Sequence, residues 1–353
     1  MPQSRPRLRP FWLSVLCPAL RCAGDASALP VFDAASPEVG AALRSQGVVL
    51  LRGGATDAEG LRVSAIRAWN RAGFHHGLGD YNSGGTVVRP QLQDKVYDVA
   101  AGAPADRPVA VHCEKAYQAR VPRFVAFGCF READSGGELQ LVDLVRLLGE
   151  LAPGVLGKLR SVGVEYTRRL GDEVTSPDWA YATGFWQRRF GTADWAEAQR
   201  IAGQDSALGG AAGAWLERSS NGTVVLRWRA PALGITEDGQ EVLLSGILDN
   251  HNSSNYGEGQ SPLHATYGDS SEFSPAEIED LRKAHRAAEW ASLKLKAGEA
   301  IVVDNFRFGH GRTAYTGERR HAQVMSKQVP RGVGEPLPQG AGPSSCGSGE
   351  HSS

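Results

Sequence analysis

The sequence predicts a mainly β protein, a β-sandwich or barrel core with helices packed outside it. Two observations carry this expectation. Short β-type apolar runs hold most of the chemically suggestive side chains, and helical patterns fall between those runs. A third excludes the main rival: no GxGxxG follows a strand and no Walker-type loop is present, so a doubly wound nucleotide-binding fold is not expected.

In chain order, residues 36–45 read as helical and Gly47-Val-Val-Leu-Leu-Arg52 as a buried strand. Asp57 to Ala72 reads as a helix with Leu61, Ile66 and Trp69 on its apolar face and Asp57 near its N-cap. Further strands are expected at 109–112, 124–130, 163–167, 223–228, 300–304 and 321–326. Helices are expected at 141–151, 194–202 and 275–291. The last begins on Ser274-Pro275-Ala276-Glu277, a capping serine followed by proline and an acid in the first turn.

The bulk numbers fit a soluble globular protein. Of 353 residues, 41% are hydrophobic and 22% charged. A net charge of −1 gives no basic footprint for nucleic acid. The longest apolar stretch, residues 11–20, is broken by Ser14 and Pro18 and is too short to span a bilayer. Five cysteines, odd in number and irregularly spaced, suggest reduced thiols rather than a disulfide framework. Three zones follow: a leader at 1–27, one domain at 28–330, and a Gly/Pro/Ser tail at 331–353 with too little apolar surface to order itself. The leader carries Arg5, Arg7, Arg9 and Arg21 with no acid before Asp25, which suits an organelle transit peptide, a weak secretory signal with residues 11–20 as its apolar stretch, or an unstructured terminus. A soluble cytoplasmic or organellar protein is expected, with no oligomeric state implied.

The most informative stretch is Val109-Ala-Val-His-Cys-Glu-Lys-Ala-Tyr117. On a strand, residues two apart share a face, so His112 and Glu114 project together and Cys113 points away. An imidazole and a carboxylate on one face are two thirds of a facial triad for non-haem Fe(II), which leaves positions open for O2 and a cosubstrate. A lone His-x-Glu is weak, because it arises often by chance. The second half comes much later: an apolar strand ends at Asp304-Asn305, and His310-Gly311-Arg312 follows. His310 offers a third ligand. Arg319-Arg320 then offers permanently charged, bidentate groups that suit a dicarboxylate.

These segments together resemble the TauD/TfdA (taurine dioxygenase and clavaminate synthase-like) family of Fe(II)/2-oxoglutarate oxygenases. The matching stretches are Asp80-Tyr81 through Arg89, Val96-Tyr97, Pro104-Ala-Asp106, His112-Cys-Glu-Lys-Ala-Tyr117, Gly136-Gly137-Glu138, Tyr166-Thr-Arg168, Trp186-Gln187 with Phe190-Gly-Thr192, and Asp304-Asn305 with His310-Gly-Arg312. The resemblance implies a double-stranded β-helix (jelly roll) and Fe(II) held by His112, Glu114 and His310. It further implies 2-oxoglutarate gripped by the Arg319-Arg320 pair, with Arg320 preferred and Arg312 as a helper. O2 would be the co-reactant, and a small polar metabolite, amino-acid-like in character, the substrate to be hydroxylated. Glu114 in place of a small residue argues against halogenation.

Two departures stand out. Where the family usually places a threonine on 2-oxoglutarate, this chain has Leu139, and residues 245–250 read Ser-Gly-Ile-Leu-Asp-Asn in place of a common Phe-Asn. Leu139 keeps a rival reading in view, a catalytically impaired jelly roll that serves as a binding or scaffold protein. A cupin-like enzyme without 2-oxoglutarate would have no use for Arg319-Arg320. Arg89 is a candidate contact for an anionic substrate. His251, or its neighbour His264, is a candidate substrate-facing histidine, with a plain surface-loop role the alternative. His75-His76 read as loop polar residues.

Overall fold

Most of the predicted strand runs pair into two main sheets in the computed structural model, which describes residues 29–75, 77–81, 89–99, 104–175, 184–218, 223–251 and 262–332. The leader, nearly all of the tail, His76, Asn221 and Asn252 lie outside the described residues. One sheet has seven strands, in the order Val31–Asp33, Val48–Ala55, Gly298–Asp304, Phe124–Arg131, Arg320–Met325, Val96–Asp98 and Gln91–Gln93. The other has four: Glu289–Leu293, Leu139–Asp143, Phe308–Arg312 and Val109–His112. All pairings within them are antiparallel except Val31–Asp33 with Val48–Ala55. This is the double-stranded β-helix, and the apolar alternation explains it.

Along Gly298–Asp304, Ala300 and Val302 join the cluster under the first two helices, while Ile301 and Val303 join a second cluster with residues of the four-stranded sheet. Phe124–Arg131 divides the same way: Phe124 and Ala126 face the helices, and Val125, Phe127 and Cys129 face the other sheet. The central strands are apolar on both faces because both faces are covered. Helix Ala58–Arg71 buries Leu61, Ala65, Ala68 and Trp69 against this sheet. The Asp57 carboxylate caps it by accepting from the Gly60 N–H at 2.7 Å, a contact that stabilises by about 1 kcal/mol.

A third layer completes the molecule. Strands Ala214–Arg218, Val224–Ala230, Val164–Leu170 and Leu263–Tyr267 form an antiparallel sheet. It shares one large core with Val142 and Leu147 and with Leu281 of the capping-box helix Pro275–Ala287. Among the described residues no helix is long and apolar enough to cross a membrane.

Two helical expectations are corrected. The run at 141–151 divides into strand Leu139–Asp143 and helix Leu144–Glu150. Leu139 and Leu141 alternate with Gln140 and face the space between the sheets, and the Asp143 carboxylate then caps the helix through Val145 N–H and Arg146 N–H. The helix expected at 275–291 stops at Ala287, and Glu289–Leu293 becomes an edge strand on Leu139–Asp143. Gly136 and Gly137 permit the turn that brings Leu139 into place. Both have positive φ, and a Cβ at Gly136 would lie 2.1 Å from the Ala314 carbonyl oxygen.

Candidate metal centre

Register brings the two distant histidines together. His310 and His112 are directly opposed on paired antiparallel strands, and their ring centroids are 4.7 Å apart. His112 donates from Nδ1 to the Ala110 carbonyl at 2.9 Å, because a carbonyl only accepts; Nε2 therefore keeps its lone pair. Phe127 reaches across from the seven-stranded sheet, its ring 4.8 Å from that of His310.

Glu114 arrives by a route the sequence did not show. Strand Val109–His112 ends before it, so strand alternation does not aim its side chain. Asn305 holds that segment instead. Its Oδ1 accepts from Glu114 N–H at 2.8 Å, and its Nδ2 donates to the carbonyls of Glu114 and Pro122 at 3.2 and 3.0 Å. Neighbouring Asp304, equally prominent in the sequence, is occupied by an ion pair with Arg123 at 2.7 Å. The candidate ligand atoms of His112, Glu114 and His310 all lie within 4.8 Å of one another.

Charge states suit a divalent cation. Burial opposes ionisation of Glu114, but the His310 imidazole, 3.7 Å away, and the positive field of Arg89 outweigh it and hold its carboxyl well below the usual range. Burial pushes His310 down to about 4, so its imidazole is neutral near pH 7 and has a lone pair to offer. Two imidazoles and one carboxylate form a donor set that fits Fe(II). Gln323 was missed in the sequence. Its Nε2 donates to Glu114 Oε2, and its Oε1 accepts from Arg89 Nη1 at 2.9 Å. The Arg89 guanidinium lies over the Tyr81 ring, 4.4 Å from its centroid. The available signal was alternation along the strand: His321, Gln323 and Met325 face inward, opposite Ala322 and Val324.

Arg312, Arg319 and His321 form a second buried group apart from the candidate ligands. Arg319 is only 8% exposed, whereas Arg320 is exposed at the strand edge. Arg319 Nη2 donates to His321 Nδ1 at 2.9 Å, and its Nε is buried with no hydrogen-bonding partner among the described residues. No carboxylate pairs with it there. Burial, together with the charge of Arg312, lowers Arg319 to about 10. A buried cation without a counterion is costly in an empty pocket and well suited to an anionic ligand. Because arginine only donates, His321 Nδ1 must accept, which places the ring proton on Nε2. Burial and the two arginine charges push His321 down to about 3, so this tautomer is neutral.

A family model described as "Taurine catabolism dioxygenase TauD, TfdA family" matches residues 26–326. The chain belongs to the TauD/TfdA family. Among curated relatives, the dapdiamide synthesis protein DdaC of Enterobacter agglomerans is 26% identical over 230 residues, which cover 61% of this chain and 64% of DdaC. The match thus spans less than two thirds of that relative. Among solved structures, PvcB from Pseudomonas aeruginosa is 16% identical with a TM-score of 0.42, covering 83% of this chain and 80% of that one. A taurine dioxygenase from Burkholderia xenovorans is 15% identical with a TM-score of 0.45, covering 88% and 94%.

Within this TauD/TfdA chain the remaining candidates separate clearly. Arg312 is tied to backbone, donating to the carbonyls of Thr313, Pro104 and Arg107 at 2.8, 3.0 and 3.1 Å. Arg89 reaches the metal centre through Gln323, but His251 turns toward strand Leu263–Tyr267, with Nδ1 on the Ala265 carbonyl at 3.0 Å. Asp249 was not singled out in the sequence. It lies in the fields of His112, Glu114 and Arg89 and has no hydrogen-bonding partner among the described residues. Cys113 and Cys129 are free and buried.

Proposed function

We propose that this chain is an Fe(II)- and 2-oxoglutarate-dependent dioxygenase that hydroxylates a C–H bond of a small, polar, amino-acid-like substrate. One observation carries most of the weight: a two-histidine, one-glutamate donor set is bonded through Glu114 to Gln323, and Arg319, buried and in no ion pair with a carboxylate among the described residues, is bonded to His321, two residues before Gln323 on the same strand. Fe(II) bound there supplies the oxidation, in which one atom of O2 ends in succinate, the other in the alcohol, and CO2 leaves.

The protein's own residues do the rest. Glu114 stays ionised, and Gln323 orients its carboxylate. Arg319, rather than the exposed Arg320 preferred from sequence, grips the distal carboxylate of 2-oxoglutarate. Leu139, Leu141 and Phe127 line the inter-sheet core and keep water out. Arg89 is a cation in the field of Glu114, and burial pushes the Asp249 carboxyl up toward its neutral form, an arrangement matched to a polar substrate that carries a carboxylate. His321 takes over the hydrogen bond that Leu139 cannot make, its Nε2–H donating to the cosubstrate carboxylate. Replacing His321 by phenylalanine keeps the volume and removes the donor. We expect the Kd for 2-oxoglutarate to rise by roughly tenfold or more, read by anaerobic titration calorimetry.

Anaerobic addition of Fe(II) and 2-oxoglutarate to the apo-protein is expected to produce a visible metal-to-ligand charge-transfer band. In air, slow release of succinate without any added substrate should follow. Leu139 favours the rival reading, a non-catalytic scaffold. Absence of both signals would establish that rival and end the oxygenase proposal.

A further inference from the structure

We infer that the chain carries a second metal site, built from His251, His264 and Glu272, that takes a divalent transition metal such as Zn(II) and does not depend on the iron centre. The candidate ligand atoms of these three residues lie within 4.8 Å of one another. They come from three separate places: just after the helical turn Ile247–Asn250, strand Leu263–Tyr267, and the segment entering the capping-box helix Pro275–Ala287.

Three features argue for a site rather than a chance cluster. The first is the tautomer of His251. Its Nδ1 sits 3.0 Å from the Ala265 carbonyl oxygen, so Nδ1 carries the proton and Nε2 keeps a lone pair with no donor facing it among the described residues. Metal-binding histidines are ordinarily pinned this way, and His112 uses the same device. The second is spacing. His264 Nε2 lies 2.9 and 3.1 Å from the two Glu272 oxygens, while two ligands on a tetrahedral zinc stand about 3.4 Å apart. A shift of a few tenths of an ångström therefore admits the ion. The third is the charge and packing of the imidazoles. Their centroids are 5.0 Å apart at a 35° tilt, and Phe273 packs edge-on against His251 at 5.9 Å. Burial holds His251 below its ordinary range, which keeps a lone pair available to a metal. A plain His264–Glu272 hydrogen bond explains one ring nitrogen of His264. It gives the Nε2 lone pair of His251 no role.

His2Glu is a zinc donor set with a fourth position open to water. Glu272, with its side chain 65% exposed, gives the ion an entry path. The ion would tie the segment carrying Asp249 to strand Leu263–Tyr267 and so steady one wall of the substrate pocket.

The test is metal stoichiometry on the full chain, with Co(II) as the spectroscopic stand-in for Zn(II). The native sequence should bind two equivalents, and the His112→Ala/Glu114→Ala double variant one, with the intense d–d absorption of a four-coordinate ion that Zn(II) displaces. Glu272→Gln, an exposed and structurally mild change, should lower the native stoichiometry from two to one and weaken Co(II) binding by the double variant at least tenfold. His264→Asn should do the same. A double variant that binds no Co(II), or binding unaffected by Glu272→Gln and His264→Asn, would overturn the second site. Neither result bears on the iron centre, which is read separately from its charge-transfer band.

Discussion

Glu114→Ala is expected to abolish iron binding and succinate release while leaving the fold intact. The carboxylate is the only anion among the three candidate ligands, and it is the group that both His310 and Gln323 address. The hydrogen bonds that hold this segment in place involve the Glu114 backbone and Asn305, not the carboxylate, so truncation leaves that clamp in place. Gln323→Ala provides the graded comparison. A residue that only orients a ligand typically costs roughly 10- to 100-fold in metal affinity, and loss of the ligand itself should exceed that. Anaerobic Fe(II) titration, with circular dichroism to monitor folding, gives the ordering wild type, Gln323→Ala, Glu114→Ala. Native-like iron affinity in Glu114→Ala would remove Glu114 from the centre and the triad with it.

What the sequence revealed, and what it hid, follows from which interactions are local. His112, Glu114 and His310 were legible because residue identity limits what can hold a hard or borderline cation. The central strands were legible because apolar runs such as Val48–Leu51 and Ala300–Val303 leave few alternatives. Residues 141–143 were misread as helix because Leu-Val-Asp-Leu-Val fits either period over a short window, and only the neighbouring strands decide. Glu114 does lie with His112 and His310, but strand alternation is an incomplete reason for it. The strand ends at His112, and a long-range contact with Asn305 does the placing. Gln323 and Asp249 carry no motif. Their roles emerge only when the strand ending at Met325 and the turn ending at Asn250 are set beside the metal ligands. The same holds for His251, whose partners His264 and Glu272 are 13 and 21 residues away, counting 251 to 264 and 251 to 272.

The arginine pair gives the most discriminating experiment, because the sequence prefers Arg320 whereas the buried member of the pair is Arg319. Strand alternation cannot tell which of Arg319 and Arg320 faces inward, since a register shift falls between Arg320 and His321 and resets the faces. In the structure the guanidinium of Arg319 lies inside, 5.5 Å from the Tyr315 ring centroid and bonded to His321, while Arg320 is exposed. Arg319→Leu should therefore weaken 2-oxoglutarate binding by on the order of 100-fold, the scale of about 3 kcal/mol for truncating one partner of a buried charge pair. Arg320→Leu should leave it unchanged. Stability separates this from trivial unfolding. In the ligand-free protein Arg319 is a desolvated cation whose charged form is disfavoured by burial, so the leucine variant should melt at the native temperature or above it. The rise in Tm that 2-oxoglutarate brings to the wild type, present again in Arg320→Leu, should vanish in Arg319→Leu. If Arg320→Leu is the variant that loses the ligand, the cosubstrate approaches from the strand edge and the inter-sheet pocket is not its site.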